Sequence, residues 1–183
     1  MKIIALVGSL REQSYNMQLA KTIQERYEEN FELLIPNLGE LPHFNQDDEL
    51  DPPSVVKNYK ELVKEADGVI VITPEYNWSI PGVLKNALDW LSRVDKVLTD
   101  KPVMTAGVSA GLMGTIRAQL QLRQVFTSPG LQVRLLPPAQ NEIVINLASQ
   151  KFDEATGRLV DENTLAHIDG IVERFIDFVK AAK

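Results

Sequence analysis

Two segments of this chain, Ile3-Ile4-Ala5-Leu6-Val7 and Val69-Ile70-Val71-Ile72, are apolar at every position rather than at every second one. A strand built that way needs cover on both faces. Sheets covered on both faces are mostly parallel, with helices packed above and below. The intervening sequence supplies such helices. Leu19, Ala20, Ile23 and Tyr27 recur at helical spacing, as do Val55, Val56, Tyr59, Leu62, Val63 and Ala66. Further apolar faces follow at Leu84, Ala87, Leu88 and Leu91, and at Leu165, Ile168, Val172, Phe175 and Val179.

The order of elements is therefore strand, helix, strand, repeated along the chain. Beyond residues 3–7 and 69–73, strands are expected at 31–35, 102–108 and 133–136, with 142–145 extending the last or pairing with it. Helices are expected from Pro53, from Pro81 and over 115–126, since proline suits a first turn. The fold class that results is α/β: a flavodoxin-like three-layer sandwich, its five-stranded parallel sheet ordered 2-1-3-4-5. At 183 residues, with no internal repeat and no linker tract, residues 1–183 read as a single domain.

Composition excludes several functions. A formal charge of −6 is wrong for a nucleic-acid surface, which neutralises phosphates with Lys and Arg. No apolar run approaches the roughly 20 residues that span a bilayer. The start of the chain turns polar at Ser9 too soon for a signal peptide. Without cysteine there are no disulfides, thiol nucleophiles or thiolate metal sites, which fits a reducing cytoplasm. His43 and His167 are too few for a histidine-rich metal centre and read as surface residues. The cluster Asp47-Asp48-Glu49 reads as a solvated loop rather than a metal site.

Chemistry is concentrated in the loops that follow strands. Gly8-Ser9-Leu10-Arg11-Glu12-Gln13-Ser14-Tyr15-Asn16 joins the first strand to the first helix. A glycine for the turn, a helix N-terminus, the polar side chains of Ser9, Ser14 and Asn16, and the Arg11 fork suit a phosphomonoester. The competing reading makes Ser14 or Asn16 a helix cap and Arg11 a solvated charge. Walker and Gly-x-Gly-x-x-Gly spacings are both missing, which disfavours ATP hydrolysis and Rossmann-type NAD binding.

After the third strand comes Pro74-Glu75-Tyr76-Asn77-Trp78-Ser79-Ile80-Pro81-Gly82-Val83-Leu84-Lys85-Asn86, a loop with more chemical variety than a connection needs. Prolines at both ends limit its freedom. This segment closely resembles the flavin-ring loop of the NAD(P)H-dependent FMN reductases, a family that includes quinone, azo-dye and chromate reductases. Their Gly-Ser-x-Arg-x-x-Ser-x-Asn pattern is matched at Gly8, Ser9, Arg11, Ser14 and Asn16. The resemblance implies an FMN site made by Ser9, Arg11, Ser14, Tyr15, Asn16, Pro74, Glu75, Tyr76, Asn77, Trp78 and Ser79. In the third loop it adds Ser109 and Gly111, although Thr115 stands where the family's Ser-x-Gly-x-x-Gly-Gly-x-Arg segment has its second paired glycine.

Other residues of the motif have plainer readings. Lys85 and Asp89 are spaced as a helical ion pair, and Asn86 as a loop anchor or a solvated amide. Trp90 is expected in the core or in a subunit contact.

What the resemblance implies is an enzyme, with FMN bound and NADPH or NADH as hydride donor. Hydride passes to the flavin and then, in ping-pong fashion, to small-molecule acceptors such as quinones, free flavins, azo compounds, nitroaromatics or chromate. No side chain is assigned as catalytic and no metal is implied. A homodimer or homotetramer is expected, with apolar residues around Trp90 and Val94 as one source of interface and Pro137-Pro138 near another. The alternatives are a flavodoxin-type electron carrier and a non-catalytic FMN-binding regulatory protein. The charge of −6 is modest for a carrier.

Overall fold

The structure is a computed structural model that describes residues 1–182. Its sheet has six strands: β1 (Lys2–Val7), β2 (Glu32–Leu34), β3 (Gly68–Ile72), β4 (Pro102–Val108), β5 (Arg134–Leu135) and β6 (Ile143–Ile145). Their order is β2-β1-β3-β4-β5, as expected, and every pairing is parallel. Residues 142–145 were expected to extend the fifth strand or to pair with it. They extend it. β5 lies beside Pro102 and Val103 of β4, whereas β6 lies beside Ala106, Gly107 and Val108. Both fragments use one edge of β4, so the fifth position is a strand interrupted by a loop.

Five helices cover the sheet: α1 (Tyr15–Arg26), α2 (Ser54–Glu65), α3 (Gly82–Leu91), α4 (Ile116–Phe126) and α5 (Glu162–Lys180). The two-residue period of a strand decides which side chains meet which helices. Ile3, Ala5, Val7, Ile70 and Ile72 point to one face and pack with Leu19 and Ile23 of α1 and with Ile171 and Phe175 of α5. Ile4, Leu6, Val69 and Val71 point to the other, against Val56 and Val63 of α2, Leu84 and Leu88 of α3, and Leu122 and Phe126 of α4. Each such side chain removed from water contributes roughly 1.5–3 kcal/mol. No helix among the described residues is long and apolar enough to cross a membrane.

Trp90 resolves toward the core. It is 2% exposed, its indole N–H donates to the Pro42 carbonyl at 2.9 Å, and its ring meets Phe44 edge-on. Of the two readings of Trp90, core or subunit contact, the core is the one realised, while Val94 is exposed. Asn86 clamps the same loop, accepting from the Phe44 N–H at 2.7 Å and donating to Pro42 at 2.9 Å. Lys85 and Asp89 form the helical ion pair at 2.6 Å.

Beneath the end of β4 lies a buried polar network. Gln119 of α4 accepts from the Thr105 hydroxyl at 2.9 Å and donates to Thr115 Oγ1 at 3.1 Å and to the Ile143 carbonyl at 3.0 Å. Its carboxamide is thereby satisfied at full burial, as a buried polar group must be. Thr115 fits because Gly107 leaves room: a Cβ on Gly107 would stand 2.0 Å from Thr115 Oγ1 and 2.4 Å from the Thr73 carbonyl oxygen.

Three buried side-chain atoms take no hydrogen-bond partner among the described residues: Gln18 Oε1, Arg123 Nε and the Tyr59 hydroxyl. Burial pushes the Tyr59 phenol above the usual range. An unbonded buried hydroxyl costs about 1–3 kcal/mol. Tyr59→Phe is accordingly expected to raise the urea midpoint; a fall would reveal a partner for the hydroxyl.

The two helices of the first face are tied by Asp169 of α5, which accepts from Arg26 at 2.6 and 2.7 Å and from the Tyr27 hydroxyl at 2.5 Å. The Arg26 hydrogen bond, opposed by burial and assisted by Tyr27, holds the Asp169 carboxyl below its ordinary value. A folded-state value below the unfolded one stabilises the fold above the ordinary carboxylate range and is lost as pH falls through the folded value. Asp169→Asn is expected to lower stability at neutral pH. The gap from the parent protein should then close as pH drops below about 4 in urea titrations.

Candidate active site

Three loops meet at the carboxyl ends of β1, β3 and β4, where open α/β sheets place their ligands. The first leaves β1 at Gly8, whose N–H still reaches Ile72 at 2.9 Å. Ser14 then caps α1, its Oγ accepting from the Met17 N–H at 3.3 Å. Two N–H groups of the first turn, on Tyr15 and Asn16, take no acceptor among the described residues. They carry the positive end of the helix dipole. Arg11 is exposed beside them, 5.6 Å from the centre of the Tyr15 ring.

Asn16 has a different task from the one its position suggested. Its side chain is buried, donating from Nδ2 to the Val108 carbonyl and accepting at Oδ1 from the Val108 N–H, both at 3.0 Å. The carboxamide behaves like a further strand residue and bolts the first loop to the end of β4. The part of Asn16 left for a ligand is its main-chain N–H.

The second loop is stiffened at its tip. Tyr76 and Ser79 exchange backbone hydrogen bonds at 3.0 Å, and the residues between them, Asn77 and Trp78, have φ of 50° and 64°. Both central residues are left-handed, as a type I′ turn requires. Asparagine tolerates this; for tryptophan it costs roughly 1–2 kcal/mol. Three contacts to α4 hold the turn in place. The Glu75 carboxylate accepts from the N–H groups of Arg117 and Ala118 at 2.9 and 3.1 Å, and from Arg117 Nη1 at 3.2 Å. Ser79 Oγ donates to Gln121 at 2.5 Å, and the Arg117 guanidinium lies 4.8 Å from the centre of the Trp78 ring.

Glu75 is thus the cap of α4. Thr115, at the helix's own N-cap position, makes no side-chain cap. A carboxylate brought from 42 residues away fills that role and meets the dipole favourably. Spacing rules could not have revealed it. The third loop is similarly self-bonded: Ser109 Oγ accepts from the Gly111 N–H at 3.1 Å, and the Ser109 N–H reaches Ile145 at 2.9 Å.

These loops enclose a cavity of about 320 Å³. It is lined by Ser9, Arg11, Ser14, Tyr15, Asn16, Pro74, Glu75, Tyr76 and Ser109 from the expected set, together with Val108 and Ala110. The last two were missed, although both flank Ser109 in the chain. Asn77, Trp78, Ser79 and Gly111 do not line it; they shape the turn and loop behind its walls. A second, larger hollow of about 560 Å³ adjoins it, sharing Arg11 and Tyr15 and closed on its far side by residues 152–157.

The donor set fits a phosphate-bearing planar ligand. One end has Arg11 and the unpaired N–H groups of Tyr15 and Asn16. Toward the other, the N–H groups of Glu75 and Ala110 also take no acceptor among the described residues. Pro74 and Tyr76 supply flat walls there.

Comparison with known proteins points the same way. The family described as NADPH-dependent FMN reductase matches residues 1–145. The chain is 38% identical over 180 residues to the NADH:(hydroxy)cinnamate reductase subunit CrdA of Vibrio ruber, covering 98% of this chain and 88% of that one. It is 35% identical over 187 aligned positions to the quinone reductase of Escherichia coli K12, covering 100% and 97%. The solved structure of FerB, a flavoenzyme NAD(P)H:(acceptor) oxidoreductase from Paracoccus denitrificans, superposes with a TM-score of 0.88 at 32% identity, covering 99% and 98%. With matching sequence over nearly the whole chain and a matching fold, the protein belongs to the NADPH-dependent FMN reductase family, an oxidoreductase that works with FMN and a reduced nicotinamide.

Proposed function

We propose that the chain passes hydride from NADPH or NADH, by way of FMN, to a second small molecule in a ping-pong sequence. Its acceptors are quinones, free flavins, azo compounds, nitroaromatics or oxyanions such as chromate. The observation that carries this reading is the asymmetry of the cavity: the Arg11 cation and the helix-terminus N–H groups of Tyr15 and Asn16 on one side, the walls Pro74 and Tyr76 with the N–H groups of Glu75 and Ala110 on the other. FMN, when bound, supplies the hydride chemistry. The protein's part is to bind, orient and exclude. Arg11, Ser9, the Ser14 hydroxyl and the N–H groups of Tyr15 and Asn16 hold the phosphate. The N–H groups of Glu75 and Ala110 serve the edge of the ring, with Pro74 and Tyr76 as its walls.

No side chain is needed as acid, base or nucleophile. A cavity of about 320 Å³ is small for a ligand site. FMN seated there would fill it, leaving donor and acceptor to use the exposed ring face in turn, as ping-pong exchange requires. A homodimer or homotetramer belongs to the same reading. Trp78, Leu112 and Met113 stand exposed near the mouth as apolar surface for a second copy to cover. A cysteine-free chain also suits the cytoplasm.

Anaerobic mixing of the FMN-loaded protein with NADPH and then NADH is expected to bleach the flavin absorbance and to show which nicotinamide is preferred. Flavin that stays bound and unreduced with both would leave an electron carrier or a regulatory protein instead. Arg11→Ala is expected to weaken FMN binding about tenfold or more, with far-ultraviolet circular dichroism unchanged. Undiminished FMN affinity would remove Arg11 from the phosphate site.

A further inference from the structure

The larger of the two hollows has no part in the reading above. It measures about 560 Å³, within the range of small-molecule sites. It meets the first cavity at the phosphate end, where the two share Arg11 and Tyr15. A phosphate held at that end therefore has space beyond it.

The far wall of the hollow is a hairpin with its own means of staying in place. Phe152 and Leu159 pair across it, and Gly157 takes a left-handed turn at φ 67°. The Asp153 carboxylate is spent inside the turn, accepting from the Thr156 N–H at 2.7 Å and from its hydroxyl at 2.6 Å. Two links bind the hairpin to α1. Arg158 donates from Nε to Glu25 at 2.6 Å, and the Leu159 N–H donates to Thr22 at 3.3 Å. A hollow bounded by elements tied in this way is preformed, so a ligand entering it has little to order.

Several groups around the hollow are unspent. Arg11, Gln13 and Glu154 are exposed, and their side chains make no hydrogen bond or ion pair among the described residues. Gln18, in the same wall, has a buried Oε1 without a donor. A cation, carboxamides, a carboxylate and the Tyr15 ring are the complement of a nucleotide. Carboxylates receive ribose hydroxyls, carboxamides pair with the edge of adenine, and aromatic faces stack on bases. Asp153 and Glu154 make the far side negative, which suits neutral hydroxyls and opposes a second phosphomonoester.

We propose that this hollow binds adenosine monophosphate as one half of FAD, so that the chain accepts FAD in addition to FMN. The inference rests on the flavin reading above. In FAD the adenylate is joined to the phosphate of FMN, which is the end at which the hollow begins. The second phosphate shares Arg11, the ribose hydroxyls donate to Glu154, and adenine lies against Tyr15 with its edge toward Gln13 and Gln18. A nicotinamide donor carries the same adenylate, but its nicotinamide belongs over the flavin ring, at the other end of the first cavity.

The test is a competition. FMN-loaded protein is dialysed against equal concentrations of FMN and FAD, and the bound flavin is identified by chromatography. The parent protein is expected to hold the two in a ratio within about threefold of one. Ala155→Trp, which fills the hollow from the exposed tip of the hairpin, is expected to lower the FAD-to-FMN ratio about tenfold, with total bound flavin unchanged. Glu154→Ala is expected to do the same, and it decides the matter should the tryptophan variant not fold. Retention of FMN alone by the parent protein overturns the inference, as does a ratio that neither variant changes. An unchanged ratio together with a raised KM for NADH in Ala155→Trp overturns it too, and assigns the hollow to the adenylate of the donor. Loss of all flavin from the parent protein would instead remove the flavin reading itself.

Discussion

Burial on both faces of the sheet is the constraint from which the rest of the molecule follows. With Ile3, Ala5 and Val7 under one layer of helices and Ile4 and Leu6 under the other, the central strands have no room for chemistry along their length. Polar function is displaced to the strand ends. Parallel pairing puts all the carboxyl ends on one side, so the loops after β1, β3 and β4 become neighbours although far apart in sequence.

Much of what looks like ligand-binding equipment in those loops is spent on the loops themselves. Asn16 holds Val108, Ser14 caps α1, Glu75 caps α4, Ser79 holds Gln121 and Ser109 holds Gly111. What this leaves facing the cavity is largely main chain. Backbone N–H groups have no rotamers to lose, so a ligand that meets them is charged little conformational entropy. The motif specifies a shape, and the shape presents the donors.

This division explains what could be read from the sequence and what could not. The strand order, the helix faces, the Lys85 and Asp89 pair and the grouping of the three loops all follow from local periodicity and from the rule for strand ends. The role of Glu75 does not, because its partners lie in α4 and no local pattern connects them. Trp90 was visible as apolar but its direction was not; the Pro42 carbonyl that receives its N–H decides it. The interrupted fifth strand was ambiguous because fragments as short as β5 and β6 carry too little periodicity to reveal their partner. Trp78 lies where Asn77 announces a turn, yet nothing local announces a tryptophan held left-handed.

Thr115, where the family pattern has glycine, has a consequence for how this chain can diverge. Its side chain occupies the space that Gly107 leaves open, so the two positions share one volume. The sharing is not symmetrical. Volume can be given up at position 115, but it cannot be transferred to position 107, where the fixed carbonyl of Thr73 also stands. Position 115 can therefore lose its side chain while Gly107 stays, at the cost of the hydroxyl that accepts from Gln119, and the glycine remains locked in either case.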